Sequence, residues 1–377
     1  MTPAKKLGFG CMRLPLTDPE DFTKVDIAQV ERMVDTFLER GFTYFDTAYM
    51  YHEFLSEKIV RRTLVERHDR SAFTLATKLP TMFLKAEGDQ ERIFAEQLEK
   101  CGVEYFDYYL LHNLNVSNYR KVGQFGSFAF AARLKAEGKI HHLGFSFHDS
   151  AELLDEILTA HPETEFVQLQ INYLDWENES IQSRKCYETA RRHGKPVVVM
   201  EPVKGGTLAR LPEEAEKLFR TVRPDLSPAS WAIRYAAGLD GVMMVLSGMS
   251  SMEQLDDNTS YMQDFEPLNA EERAAVDKAV GIINRAIAVP CTACRYCVDG
   301  CPKKIAIPEY FALYNNTKQS LNKGFSVQSV YYDNLAQSHG RASECIGCCK
   351  CETSCPQHRP IVESLRKVAE TFETSEN

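Results

Sequence analysis

Residues 106–112 read FDYYLLH, an almost unbroken run of apolar and β-favouring residues that ends in a histidine. Such a run is typical of a strand that is buried on both faces of a sheet, as parallel strands are. Comparable runs lie before and after it along the chain, and together they predict eight strands. The predicted strands are a first one near Leu7–Met12, then Tyr44–Thr47, Phe73–Lys78, Phe106–His112, His142–Ser146, Phe166–Gln170, Val197–Met200 and Val242–Leu246.

Stretches with helical spacing separate these runs. Between Val25 and Gly41, apolar residues such as Val30, Val34 and Phe37 fall on one face of a helix. Strands and helices that alternate over about 265 residues predict a closed (β/α)8 barrel, the TIM barrel of the α/β class. An open doubly wound sheet is the alternative. No GxGxxG sequence follows the first strand, so the usual support for a dinucleotide-binding open sheet is missing.

The chain is acidic and otherwise ordinary in composition. Its 377 residues carry a net charge of −9, and 44% of them are hydrophobic. An acidic surface argues against nucleic acids and anionic membranes as partners, because both attract basic patches. No apolar run reaches the roughly 18 residues of a membrane span, and no apolar signal core follows Met1. We therefore expect a cytoplasmic protein.

The cysteines divide the chain. Three of the twelve are scattered through the first 290 residues, and nine lie between Cys291 and Cys355. Cysteines of a cytoplasmic protein are rarely joined in disulfides, so the cluster points to another use. We predict a barrel over residues 1–265, a closing helix and linker over 266–289, and a cysteine-rich domain over 290–377.

Polar residues follow several of the predicted strands. Asp46, Lys78 and His112 end the second, third and fourth strands, and Tyr51 follows five residues after Asp46. Side chains at the carboxyl ends of barrel strands converge on one mouth, where barrel enzymes carry out their chemistry. Reduction of a carbonyl needs a proton donor, and a nearby lysine lowers the tyrosine pKa of about 10 toward a useful range. The four residues are a candidate carbonyl-reducing set.

The segments that hold these residues resemble the aldo-keto reductase family. FDTAYMYHEFLSEK (45–58), ATKLP (76–80) and DYYLLHN (107–113) are similar to the tyrosine, lysine and histidine segments of that family, and the resemblance covers roughly residues 5–265. It implies that Tyr51 is the general acid/base and that Lys78 lowers its pKa. It also implies that Asp46 supports the lysine and that His112 orients the carbonyl.

The same resemblance implies a nicotinamide site. GFSFHD (144–149) and VQLQINYLD (167–175) are similar to the strands that hold the carboxamide, and Met200 stands where many members have an aromatic residue. SGMSSMEQLDDN (247–258) has no lysine or arginine to receive a 2′-phosphate, which favours NAD over NADP unless Lys204 or Arg210 reaches it. A flavin bound at this mouth remains an alternative to the nicotinamide. The implied cofactor contacts are Ser146, Gln168, Met200, Ser247, Gly248, Gln254 and Asn258.

Two cysteine runs dominate the end of the chain. CTACRYCVDGCP (291–302) and CIGCCKCETSCP (345–356) both match the C-x2-C-x2-C-x3-C-P run of bacterial ferredoxins. Structural zinc is the alternative, but zinc sites use pairs of C-x2-C without a trailing Cys-Pro. In two-cluster ferredoxins the Cys-Pro cysteine of each run binds the other cluster. The resemblance thus implies two [4Fe–4S] clusters, one held by Cys291, Cys294, Cys297 and Cys355, the other by Cys345, Cys348, Cys351 and Cys301.

The segment between the two runs contains helical patterns at Pro308–Asn315 and Val330–Ala336. The second domain is therefore expected to be small, mainly α-helical and ferredoxin-like, with Cys349 as an extra thiol. We expect an oxidoreductase that interconverts a small-molecule carbonyl and an alcohol with NAD(P)(H), and clusters that transfer electrons, with a redox protein as a further partner. Two alternatives remain: an electron-transfer protein with a flavin or redox substrate in the barrel mouth, or an ordinary reductase whose clusters are structural.

Overall fold

The computed structural model describes residues 5–177, 181–286, 288–319 and 327–373. Within those ranges the chain forms two compact units. The first consists of residues up to 177, 182–202 and 230–268, and the second of residue 181, 203–229 and the described residues from 269 onward. The domain boundaries given by the sequence analysis stay a prediction.

The first unit contains a closed barrel of parallel strands in chain order, which confirms the predicted fold class. Strand β8 pairs with β1, with Val245 beside Leu7, and closes the sheet. The strands are β1 Leu7–Gly10, β2 Tyr44–Asp46, β3 Thr74–Leu79, β4 Phe106–Leu114, β5 Ile140–Phe147, β6 Phe166–Gln170, β7 Val197–Met200 and β8 Val242–Ser247.

Helices alternate with the strands and continue after β8 through the described part of the chain. The first eleven are α1 Ile27–Glu39, α2 Tyr51–Phe54, α3 Ser56–Val60, α4 Asp89–Cys101, α5 Val116–Phe125, α6 Ser127–Ala136, α7 Ala151–Ala160, α8 Ser183–Arg192, α9 Glu213–Val222, α10 Pro228–Ala237 and α11 Met252–Gln263. The remaining five are α12 Ala270–Ala286, α13 Ile307–Gln319, α14 Val327–Ala336, α15 Lys350–Thr353 and α16 Ile361–Phe372. Short 3-10 turns lie at Cys11–Arg13, Arg70–Ala72, Thr81–Phe83, Lys204–Ala209 and Ala342–Glu344, and a π-helical turn lies at Arg61–Val65. None of the helices described is both long and apolar enough to cross a membrane.

Large side chains fill the inside of the barrel. Tyr44, Tyr108 and Phe166 are buried there together. A Cβ atom at Gly144 would lie 2.5 Å from the Phe166 ring, so only glycine fits at this position of β5. Because the interior is packed rather than hollow, the strand ends are left as the place where a ligand can bind.

The second unit is mainly helical around its own small core, as the sequence predicts. Tyr310 of α13 stacks near Tyr332 of α14, with ring centroids 4.4 Å apart, and Phe372 of α16 covers Tyr332 at 4.9 Å. The cysteines of both runs pack at the edge of this core. The core therefore supports the loops that carry the thiols.

Candidate active site and cysteine-lined cavities

A buried ion pair lies at the ends of β2 and β3. Lys78 Nζ is 2.5 Å from Asp46 Oδ1 and donates a second hydrogen bond to the Thr47 carbonyl at 2.8 Å. The lysine is only 1% exposed. Burial raises the pKa of Asp46, and the Lys78 charge acts against that rise. The two strands pair in register, so their adjacent ends fix the two charges side by side.

Tyr51 stands beside this pair, in the turn that follows β2. Its ring centroid is 5.2 Å from Lys78 Nζ and 6.1 Å from the His112 ring, which it meets at an angle of 81°. Burial, followed by the negative charge of Asp46, raises the pKa of Tyr51 well above its usual value. Lys78, whose role in lowering this pKa stays a prediction, has its ammonium group engaged by Asp46 and the Thr47 carbonyl. At neutral pH the phenol keeps its proton.

The turn that carries Tyr51 has an unusual backbone. His52, Glu53 and Phe54 all have positive φ angles, between 50° and 70°. The His52 ring holds this turn in place, since its Nε2 accepts a hydrogen bond from the Leu14 amide at 3.3 Å and its Nδ1 lies 2.9 Å from the Phe22 carbonyl. Strained backbone of this kind is common at functional sites. The sequence analysis missed His52, because its partners are 30 and 38 residues away in the chain.

His112 lies near the end of β4 and is 3% exposed. Burial, together with the nearby Lys78 charge, lowers the pKa of His112 well below its usual value, so the ring is neutral. Its Nδ1 atom is buried and has no hydrogen-bond partner among the described residues. A neutral imidazole carries one N–H donor, which is what is needed to orient a carbonyl oxygen.

The two residues expected to hold a nicotinamide carboxamide are neighbours. Ser146 of β5 and Gln168 of β6 are paired in register. Ser146 Oγ accepts a hydrogen bond from the Asn113 amide at 2.7 Å. The Gln168 Oε1 atom is buried, and no described residue donates to it. Met200, the other expected contact on this side of the barrel, ends β7 beside Gln170.

The expected contacts after β8 are engaged with each other. Asn258 Nδ2 donates to Ser247 Oγ at 2.9 Å, and Asn258 Oδ1 accepts from the Tyr261 hydroxyl at 2.6 Å. Gln254 Oε1 accepts from the Ser250 amide at 2.8 Å. These side chains therefore shape the loop and the start of α11 in this structure.

Arg13 is a residue that the sequence analysis missed. A Cβ atom at Gly248 would lie 3.1 Å from the Arg13 side chain, so the arginine packs against the loop that follows β8. Its guanidinium also lies 3.4 Å from Glu201, which follows β7. Both charges act on the Tyr51 phenol, whose pKa Glu201 raises and Arg13 lowers. A cation is thus present beside a loop that contains none of its own.

The structure gathers the cysteines into the two sets that the ferredoxin resemblance implies. One cavity is lined by Cys291, Cys294, Cys297 and Cys355, and the other by Cys301, Cys345, Cys348, Cys349 and Cys351. Among the described residues no three His, Cys, Asp or Glu side chains are placed to hold a single metal ion. The first cavity nonetheless presents four thiols and the second five, and the Ala293 amide donates to Cys291 Sγ at 3.4 Å. Thiolates with amide donors suit an iron–sulfur cluster.

Comparison with known proteins agrees with this picture. Residues 6–280 match the model of the aldo/keto reductase family, and residues 290–359 match the 4Fe-4S dicluster domain. The search of curated proteins gave no match.

Solved structures share the barrel. The holo form of aldo-keto reductase AKR11C1 from Bacillus halodurans is 28% identical, with a TM-score of 0.57, and the match covers 73% of this chain and 91% of that one. An aldo-keto reductase from Klebsiella pneumoniae in complex with NADPH is 19% identical, with a TM-score of 0.56 and coverage of 72% and 90%. The second likeness shows the fold alone. The chain belongs to the aldo/keto reductase family and carries a 4Fe-4S dicluster domain after its barrel.

Proposed function

We propose that this protein is an NAD(P)(H)-dependent oxidoreductase that interconverts a small-molecule carbonyl and an alcohol. The observation that carries the proposal is the buried Lys78–Asp46 pair at 2.5 Å beneath the ring of Tyr51, with the neutral His112 next to it. Polar side chains gathered at the carboxyl ends of barrel strands are where enzymes of this fold carry out their chemistry.

Each of these residues has its own role in the proposed carbonyl reduction. A reduced nicotinamide, when bound, supplies the hydride. Tyr51 donates its phenolic proton to the carbonyl oxygen, and its raised pKa keeps that proton in place until it is needed. His112 orients the oxygen through its N–H group. Gln168, whose Oε1 atom is buried without a partner in the described chain, accepts a hydrogen bond from the carboxamide, beside Ser146.

We favour NAD over NADP as the cofactor. The segment 247–258 has no lysine or arginine, and its amides at Gln254 and Asn258 are already engaged. Arg13 is the residue that tests this preference, because it packs against Gly248 in the same loop. Steady-state KM values for NADH and NADPH, measured on the native protein and on Arg13→Gln, will decide between the two cofactors.

The eight cysteines fit two [4Fe–4S] clusters, the first held by Cys291, Cys294, Cys297 and Cys355 and the second by Cys345, Cys348, Cys351 and Cys301. Such clusters exchange single electrons when bound. We propose that they connect the protein to a redox partner. The cytoplasmic location expected from the sequence stays a prediction.

An anaerobic titration tests the proposal. The protein is purified without oxygen, its iron and flavin are measured, and its spectrum is followed with NADH and then NADPH. Carbonyl reduction that falls by about 10²-fold or more in Tyr51→Phe supports the assigned acid. Tyr187→Phe is the matched control, because that hydroxyl lies at the surface and donates to the Asp240 carbonyl, away from the candidate site. Unchanged turnover in Tyr51→Phe, or stoichiometric flavin, would instead favour the electron-transfer protein without nicotinamide chemistry.

A further inference from the structure

The loop of the second cysteine run exposes a large aliphatic side chain. Ile346, between Cys345 and Cys348, is 61% exposed, more than any other large apolar side chain in the described part of the chain. Cys348 is exposed as well. Solvent therefore reaches both the apolar side chain and one of the four thiols proposed to hold the second cluster. A single exposed apolar side chain is ordinary on a protein surface, so its position beside an exposed thiol is the feature of interest here.

Two exposed lysines without ion-pair partners in the described structure lie near Ile346. Lys303 lines the same cavity as Ile346 and Cys348, and Lys350 follows two residues after Cys348. Both lysines are exposed, and neither side chain forms an ion pair or hydrogen bond with any described residue. We call Lys303, Ile346, Cys348 and Lys350 the second-run patch. It is basic, whereas the chain as a whole carries a net charge of −9.

Two nearby acids are hydrogen-bonded to backbone and form no ion pair with either lysine of the second-run patch. Glu352 accepts a hydrogen bond from the Val362 amide at 2.8 Å, and Glu344 accepts one from the Arg341 amide at 3.0 Å. Glu352 of α15 is thus held against the start of α16, and Glu344 against its own 3-10 turn. Both lysine ammonium groups are therefore exposed to solvent and to an approaching partner.

The first cavity offers no comparable surface. Cys297 is buried, and Cys291, Cys294 and Cys355 are all partly buried. Its lining includes Arg295, which is paired with Glu309. Of the two sets of thiols, the second is the one that a partner can approach directly.

We propose that the second-run patch docks a small acidic one-electron carrier protein of the ferredoxin class. This inference rests on the proposed function, because it requires a cluster at Cys301, Cys345, Cys348 and Cys351. The reduced iron–sulfur centre of the carrier loses one electron and is oxidised. The group held by those cysteines gains that electron and is reduced. No bond is made or broken and no proton moves. Ile346 provides apolar contact at the centre, and the lysines attract the acidic surface of the carrier.

A stopped-flow experiment tests the docking. The loaded protein is mixed anaerobically with a reduced acidic [2Fe–2S] ferredoxin, and the second-order rate constant is measured at low and high ionic strength. Lys303→Glu combined with Lys350→Glu should lower that constant about tenfold at low salt, and the difference should shrink at high salt. Ile346→Gln should lower it at both salt concentrations, because an apolar contact is not screened.

The matched control is Lys85→Glu combined with Lys139→Glu, which changes the net charge equally at exposed lysines of the first unit. It should leave the rate within about twofold of the native value. Photoreduced deazaflavin should reduce native and variant proteins at equal rates. An unchanged ferredoxin rate in a patch variant with full iron content would overturn the docking proposal alone. Native protein without iron would overturn the proposed clusters and the docking together.

Discussion

At the scale of single residues, we expect the Lys78–Asp46 pair to serve both the stability of the barrel and the proposed reaction. Both groups are buried, so each depends on the other for its charge to be tolerated. Lys78→Met leaves the Asp46 carboxylate unpaired in the interior, and the free energy of unfolding should fall by about 3–5 kcal/mol. Denaturant titration of the native protein and the variant measures this loss.

The double variant Lys78→Met/Asp46→Leu separates the two tasks. With both charges replaced by apolar groups, most of the lost stability should return, because a buried pair contributes little over a well-packed apolar pair. Turnover should stay as low as in the single variant. Recovery of carbonyl reduction in the double variant would contradict the proposal that Lys78 takes part in the reaction.

The raised pKa of Tyr51 predicts a pH profile. Its usual value is 10, and burial moves it further up. The phenol therefore keeps its proton through the neutral and moderately alkaline range, and kcat/KM for reduction should stay level up to about pH 9. Oxidation of the alcohol needs the phenolate, so its kcat/KM should rise about tenfold per pH unit over the same range. A reduction profile that declines near pH 7 would show that the bound cofactor lowers this pKa strongly.

At the scale of elements, a buried acid connects three parts of the barrel wall. Glu57 of α3 accepts hydrogen bonds from Thr77 Oγ1 and Gln97 Nε2, both at 2.8 Å, and Gln97 Nε2 also lies 3.0 Å from the Lys78 carbonyl. Burial raises the pKa of Glu57 from 4.5 to about 7, with the Lys100 charge acting against the rise and Glu96 adding to it. The folded protein thus binds a proton at Glu57 that the unfolded chain releases above pH 4.5.

The sign of the pH effect follows from that proton. The contribution of Glu57 to the free energy of unfolding has its full value below pH 4.5. That contribution, about 3 kcal/mol, is lost as the pH rises through about 7. Glu57→Gln should therefore lose less free energy of unfolding between about pH 5 and pH 8 than the native protein. The exposed Glu137→Gln serves as the control and should follow the native curve. Equal slopes in all three proteins would rule out the proton at Glu57.

The turn before α9 predicts a second effect at this scale. Gly205 and Gly206 both have positive φ angles, but only at Gly205 would a Cβ atom meet another segment, at 2.1 Å from the Thr292 carbonyl. Thr292 lies between Cys291 and Cys294, so Gly205→Ala should displace the loop of the first cavity and lower the bound iron by about half. Gly206→Ala has the same backbone cost of about 1 kcal/mol without the clash. Iron analysis of the two variants should therefore differ, and equal iron contents would contradict this reading of the contact.

Much of this architecture could be predicted because local patterns determine it. The predicted bounds of β6 and β7 match the structure, since strands buried on both faces are continuously apolar. The first strand ends at Gly10 rather than near Met12, because the chain enters a 3-10 turn at Cys11–Arg13. The helix Val116–Phe125 was missed, since its apolar residues are few.

The residues around the candidate site were less accessible to prediction. Asp46, Tyr51, Lys78 and His112 follow from strand ends, whose positions the strand pattern gives. Arg13 and Glu201 are in contact although they are 188 positions apart in the chain, so no local sequence pattern predicts this contact. The burial that raises the Tyr51 pKa could not be predicted either, because residue types alone do not show how deeply a side chain is buried.

At the scale of the whole molecule, the two units should differ in their need for iron. The first unit is held by the packed interior of a closed barrel. The second has a small core whose edge is formed by the cysteines of both runs. Where a metal group joins distant segments, its binding free energy becomes folding free energy. Anaerobic removal of iron should therefore unfold much of the second unit while the barrel persists, which circular dichroism would record as a partial loss of helix and calorimetry as a separate, earlier transition.

Two serine variants show whether iron itself is responsible. Cys345→Ser removes a thiol that the second cluster needs, so it should lower both the bound iron and the temperature of the second unit's transition. Cys349→Ser removes the neighbouring thiol that lines the same cavity but falls outside the C-x2-C-x2-C spacing, so both values should stay at the native level. Loss of iron in Cys349→Ser with retention in Cys345→Ser would reassign the ligand. A native transition temperature after complete iron removal would mean that the aromatic core of Tyr310, Tyr332 and Phe372 is sufficient to hold the unit folded, and the clusters would then be free to serve electron transfer alone.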